Sequence, residues 1–230
     1  MSATTLTSSL TERDELVLRD MIRFGTLTLE QIARRYLDDA PRLDLLVEYG
    51  YAEEGPRCIQ GTRIFAATGR AKRAVNSELA IKPIGVNSAL CHNLTLVNLA
   101  DWLLAPTQFP NAIYRTDREL QAGIGRAHGE PGADTGHWPD GLLINGRHHQ
   151  GIELELKWGG DRKYHKVCRW FAWHREYDAV HWYTASPRVL RRVPRIAEDN
   201  GLERDIEILV DPLPVGVEVL QWARGKSLQS

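Results

Sequence analysis

Near its amino end the chain repeats apolar residues at helical spacing. Val17, Met21 and Phe24, with Leu18 and Ile22 beside them, line one face of a helix over about residues 11–24, and Gly25 stops it. In "TLEQIARRYL", Thr28 and Gln31 have the spacing of a capping box, so a second helix starts there. A third follows, with Pro41 in its first turn, Gly50 just past its end, and Leu43, Leu46 and Val47 facing inward. Short runs at 51–52 and 63–66, joined by a Gly/Pro-containing turn, read as a hairpin, and another helix starts near Gly69. Helices followed by a hairpin predict a winged helix-turn-helix over residues 10–85.

Further along, the period changes from helical to two. Residues 140–144 and 151–157 flank Asn145-Gly146, a strong hairpin signal. In an antiparallel pair joined by an even-length turn, even-numbered residues lie opposite odd-numbered ones. Asp140 then shares a face with Glu153, Glu155 and Lys157, and Ile152, Leu154 and Leu156 point to the other, the expected core face. A helix over about 161–177 places Tyr164, Val167, Cys168 and Phe171 toward the core, and a strand follows at 179–184. Arg162, Lys166, Arg169 and Trp173, at i, i+4, i+7 and i+11, form a narrow stripe on the opposite face. Upstream, a helix is expected at about 88–104 or 115–122, and the glycine-rich segment 123–136 reads as a loop.

Composition changes this picture little. The chain has 230 residues, 43% hydrophobic and 26% charged, which suits one large domain or two small ones. A net charge of -1 announces no nucleic-acid partner. The local balance differs, because residues 161–195 hold nine Lys/Arg, Arg188, Arg191, Arg192 and Arg195 among them, against three acids. The three cysteines are widely separated, with neither a disulfide framework nor a CxxC pair, which fits a reducing interior. With no signal-like start and no long apolar run, the expectation is a soluble cytoplasmic protein with no membrane partner. The eight histidines lack paired ligand spacing, so zinc is not expected. No phosphate-cradling loop or nucleophile elbow is present.

The candidate chemistry lies in the acids. Carboxylates crowded on one strand face repel unless a cation lies between them. Magnesium is commonly held by one or two carboxylates, waters and a substrate phosphate. A neighbouring lysine can orient water and steady charge on phosphorus. Asp140, Glu155 and Lys157 therefore make a complete phosphodiester-cleaving set, with Mg²⁺ or Mn²⁺ on Asp140 and Glu155. In the first third, the third helix carries Asp44 and Glu48 beside Arg42, a poor surface for phosphates. Arg57 and Arg63 on the wing, and Arg70, Lys72 and Arg73 after it, are better candidates. The stripe of Arg162, Lys166, Arg169 and Trp173 suits a nucleic-acid backbone with one stacked base.

"PDG" (Pro139-Asp140-Gly141), followed after a hairpin by "ELK" (Glu155-Leu156-Lys157), resembles the PD-(D/E)xK nuclease motif. That resemblance implies a core of helix, three strands, helix and strand, and it implies a further metal-linked acid upstream, for which Glu119 in "YRTDREL" is the candidate. Taken with "LTLEQIARRY", "IFAATGRAKRAV" and "CHNLTLVNLADWLL", the order of motifs over residues 10–185 resembles the replication-relaxation family of plasmids, phages and integrative elements. The expectation is an α/β chain, with an N-terminal winged helix-turn-helix (10–85) followed by a PD-(D/E)xK nuclease-like domain with a mixed sheet (86–225). Its function would be DNA processing for a mobile element, with metal-dependent cleavage as an endonuclease. One alternative is a catalytically inert DNA-binding adaptor that recruits a recombinase, relaxase or replication protein. The other is a winged-helix repressor.

Overall fold

The computed structural model describes residues 10–36, 40–56, 61–84, 88–127, 137–204 and 206–220. Arg57, Cys58 and most of the glycine-rich segment after Gly123 lie outside the described residues. The chain is mixed α/β and divides into two compact units, residues 1–94 with 220–230, and residues 95–219. No helix among the described residues is long and apolar enough to cross a membrane.

The first unit opens with α1 (Glu12–Phe24), capped by a Thr11–Asp14 capping box. The short strand β1 (Leu27–Thr28) leads into α2 (Leu29–Tyr36). The expected reciprocal cap is present there: Gln31 N–H donates to Thr28 Oγ1 at 3.1 Å, and Thr28 N–H donates to Gln31 Oε1 at 3.0 Å. Then come α3 (Ala40–Glu48), β2 (Ala52–Glu54), β3 (Ile64–Ala67) and α4 (Gly69–Ala74). The three strands form an antiparallel sheet in the order β1-β3-β2. Leu43 and Leu46 are buried as their spacing requires, and Val47 is half-buried.

The division between the units falls within α5 (Ser88–Leu103). The second unit continues with β4 (Ile113–Thr116), α6 (Asp117–Ala127), β5 (Gly141–Asn145), β6 (His148–Glu155), α7 (Asp161–Trp173), β7 (Ala179–Thr184), α8 (Pro187–Asp199) and β8 (Glu207–Pro212). They build a mixed five-stranded sheet, β4-β5-β6-β7-β8. The pairs β4–β5 and β5–β6 are antiparallel, and β6–β7 and β7–β8 are parallel. Parallel neighbours need crossovers, which α7 and α8 supply. Tyr164, Val167 and Phe171 of α7 and Val189, Val193 and Ile196 of α8 pack with Val180 and Trp182 of β7 into one core. On the opposite face of the sheet, Trp102 of α5 meets Tyr183 of β7 edge-on, with ring centroids 6.3 Å apart.

Candidate functional site

The site is built on the hairpin β5–β6. Its two-residue turn is Gly146-Arg147, one position later than the Asn145-Gly146 pattern suggests, because Asn145 pairs with His148. Gly146 takes the positive φ of 63° that the first central position of a II′ turn requires. The shift preserves the parity of the register. Gly141 pairs with Ile152, so Asp140, one residue earlier, lies level with Glu153. Asp140 Oδ2 accepts the Leu154 N–H at 2.7 Å, which holds this carboxylate between Glu153 and Glu155 on the expected shared face.

That face is covered. Gly151 shares it, and a Cβ on Gly151 would stand 2.6 Å from Phe171 Cε1 on α7. The carboxylates therefore sit under a helix, at the margin of the aromatic core. Glu153 is 2% exposed and Glu155 6%, and β6 is the central strand of its sheet.

Each buried acid has a basic partner that the motif reading missed. His137 Nε2 lies 2.7 Å from Glu153 Oε1. The His137 ring meets Trp170 and Phe171 of α7 edge-on. Burial pushes the Glu153 carboxyl above its ordinary value, against the pull of His137. Burial disfavours the His137 imidazolium, but the Glu153 charge outweighs it and the ring holds its proton more tightly than usual. Glu155 is bound by Lys163 Nζ, from the first turn of α7. The Tyr164 hydroxyl accepts the Gly159 N–H at 3.3 Å. Burial first, then the adjacent Glu155, pushes the Tyr164 phenol upward. Beneath them, burial pushes the Cys168 thiol up to about 12.

The remaining expected site residues are placed unevenly. Strand β6 ends at Glu155, so Lys157 leaves the strand face and is exposed in the bend before α7. Pairing holds the strand only that far: Thr184 Oγ1 donates to the Glu155 carbonyl at 2.5 Å, and Gly159-Gly160 then turn the chain into α7. Glu119 caps its own helix, its Oε2 accepting the Thr116 N–H at 2.8 Å and the Thr116 hydroxyl at 3.0 Å. The residues 115–122 are not all helical, since Arg115 and Thr116 belong to β4. Among the described residues, no three His, Cys, Asp or Glu side chains form a ready ligand group. His181 is a packed histidine, bonded to Gln150 Nε2 at 3.0 Å and Asp211 Oδ2 at 2.9 Å.

Several of the expected basic residues already have partners. Arg63 binds Glu54 through Nε at 2.9 Å and Asp44 through Nη2 at 2.6 Å, so acids hold it where a phosphate contact was expected. Arg42 is bound to the buried Asp14. Arg70 donates to the Tyr49 carbonyl at 2.7 Å and lies over the Tyr51 ring, and Lys72 donates to the Glu78 carbonyl at 3.3 Å. On α7, Arg162, Lys166, Arg169 and Trp173 are all exposed, opposite the buried Tyr164, Val167, Cys168 and Phe171, and Arg169 Nε donates to the His165 carbonyl at 3.2 Å. Compared with protein-family models, with curated proteins and with solved structures, the chain matches none.

Proposed function

We propose that this chain is a DNA-processing protein of the replication-relaxation type, serving a plasmid, phage or integrative element, and that it cleaves phosphodiesters with Mg²⁺ or Mn²⁺. One observation carries the reading. Asp140, one residue before β5, lies on the same face as Glu155 of β6, and a lysine from the following helix, Lys163, stands on Glu155. Further support comes from element order. Helix α5, the antiparallel strands β4, β5 and β6, helix α7 and the parallel strand β7 follow the sequence that a PD-(D/E)xK core implies, with α6 inserted. In the first unit, α1 to α3 followed by the β2–β3 hairpin follow the order of a winged helix.

The donor set suits the ion. Asp140, just before β5, and Glu155, at the end of β6, offer hard carboxylate oxygens, a number and type that Mg²⁺ takes alongside water and a phosphate. The bound ion would supply Lewis-acid polarisation of the phosphoryl oxygen. The chain's own residues do the positioning. The Leu154 N–H fixes Asp140, Lys163 supplies positive charge at Glu155, and Lys157, exposed two residues beyond, supplies another. Calorimetry with Mg²⁺ and Mn²⁺, paired with a DNA cleavage assay, tests this. Binding and cleavage are expected in the wild type and absent in Asp140→Ala/Glu155→Ala. Lys163→Ala is expected to slow cleavage about 100-fold, far more than Lys157→Ala. No metal affinity in the wild type overturns the proposal.

A second reading has its own observation. His137 on Glu153, Lys163 on Glu155 and the Leu154 N–H on Asp140 give each acid a partner without any metal. The same fold would then act as a DNA-bound adaptor for a recombinase, relaxase or replication protein, and the double variant would keep its function.

A further inference from the structure

We infer that the outward surface of α7 and α8 binds single-stranded nucleic acid in preference to duplex, with the backbone along the helices and one base stacked on Trp173. This deepens the DNA-processing reading and rests on it. Arg162, Lys166, Arg169 and Trp173 lie directly opposite the buried face of α7, and all four are exposed. On α8, Arg191 and Arg195 lie opposite the buried Val189, Val193 and Ile196 and are exposed too. The two helices run side by side. Arg192 of α8 binds Asp161 at the start of α7 at 2.5 Å, and Asn200, the residue after α8, binds His165 one turn further along α7 at 2.8 Å. The one acid at the start of α7 is thereby neutralised from within. The exposed stripe of α7 carries cations only, whereas that of α8 passes from Arg191 and Arg195 to the exposed Glu198, on a chain whose net charge is -1.

Charge alone would suit any polyanion, and Trp173 narrows the choice. It is 83% exposed, and among the described residues no ring stacks on it and no hydrogen bond engages its indole. A bare indole at the end of a cationic stripe offers a stacking platform. Bases in a duplex are already stacked on one another, so only an unpaired base can use it. The stripe runs about 16 Å from Arg162 to Trp173 at helical rise, with cations recurring about once per turn.

The test is fluorescence anisotropy of a labelled oligothymidine of about a dozen nucleotides and of a duplex of the same length. It is run in EDTA with the full-length chain. Because no metal is present, failure of the cleavage reading leaves this result untouched. The wild type is expected to bind the single strand about ten-fold more tightly than the duplex. Trp173→Ala should weaken single-strand binding at least about five-fold and leave duplex binding unchanged, while Trp173→Phe keeps most of it. Arg162→Gln/Lys166→Gln/Arg169→Gln should reduce the slope of log affinity against log salt by about 2. All these side chains are exposed, and circular dichroism checks that the variants fold. Duplex bound as tightly as single strand, an unchanged affinity in Trp173→Ala, or displacement by polyglutamate as effective as by unlabelled oligothymidine would each overturn the inference.

Discussion

At the scale of single residues, the chain spends its charges in pairs. Asp14 is fully buried, caps α1 through Thr11, and binds Arg42. Burial by itself would raise its carboxyl, but Arg42 and Thr11 reverse this and hold it below the ordinary 3.8. A depressed carboxyl stabilises the fold above its unfolded value and loses that contribution as pH falls through the folded one. Asp14→Asn is therefore expected to cost about 1–3 kcal/mol near neutral pH, with the gap to wild type closing in acid. Urea unfolding at neutral and acid pH measures both, and an equal gap at the two would refute the assignment. The Glu153–His137 pair makes a second case. His137→Ala strands a buried carboxyl and should cost about 3 kcal/mol. His137→Ala/Glu153→Leu removes both partners, and should be the more stable of the two variants by the same measurement.

At the scale of elements, close approach of α7 to the sheet is what encloses the acids. Gly151 permits it, since a methyl there would lie within 2.8 Å of both Phe171 Cε1 and Cζ. Gly151→Ala should destabilise the chain by about 1–3 kcal/mol, read as a lowered midpoint in thermal unfolding. Much of this level was legible in the sequence. The cap at Thr28, the buried stripe of α7, the strand β7 and the parity of the hairpin all follow from local pattern. What was hidden has physical causes. Strand β4 is four residues long and runs straight into α6, so its alternation is too brief to register. Helix α8 carries Pro194 in its interior and reads as a charge run, although Val189, Val193, Ile196 and Ala197 recur at helical spacing. Strand β8 has intermediate burial and little alternation. The partners of the acids were hidden for a different reason. His137 and Lys163 lie 16 and 8 residues from the acids they meet. Only the packing of α7 on the sheet and the route of the chain into β5 bring them there.

At the scale of the whole molecule, a near-neutral total conceals a division of labour. In the first unit Arg42 and Arg63 are bound by acids, and the outward faces of α7 and α8 carry exposed cations. Such a surface attracts small anions as well as large ones. The bareness of Trp173 turns that attraction into an optical signal. Among the described tryptophans it is the one largely exposed, with Trp182 sealed in the core and Trp170 nearly so. Among the described tryptophans, its emission is therefore the part that a dissolved quencher reaches first. Iodide, drawn in by Arg162, Lys166 and Arg169, should quench it more steeply than caesium, which the same cations repel, and added salt should bring the two together as screening grows. The difference between iodide and caesium should shrink in Trp173→Phe, so one side chain left in water reports the sign of the field around it.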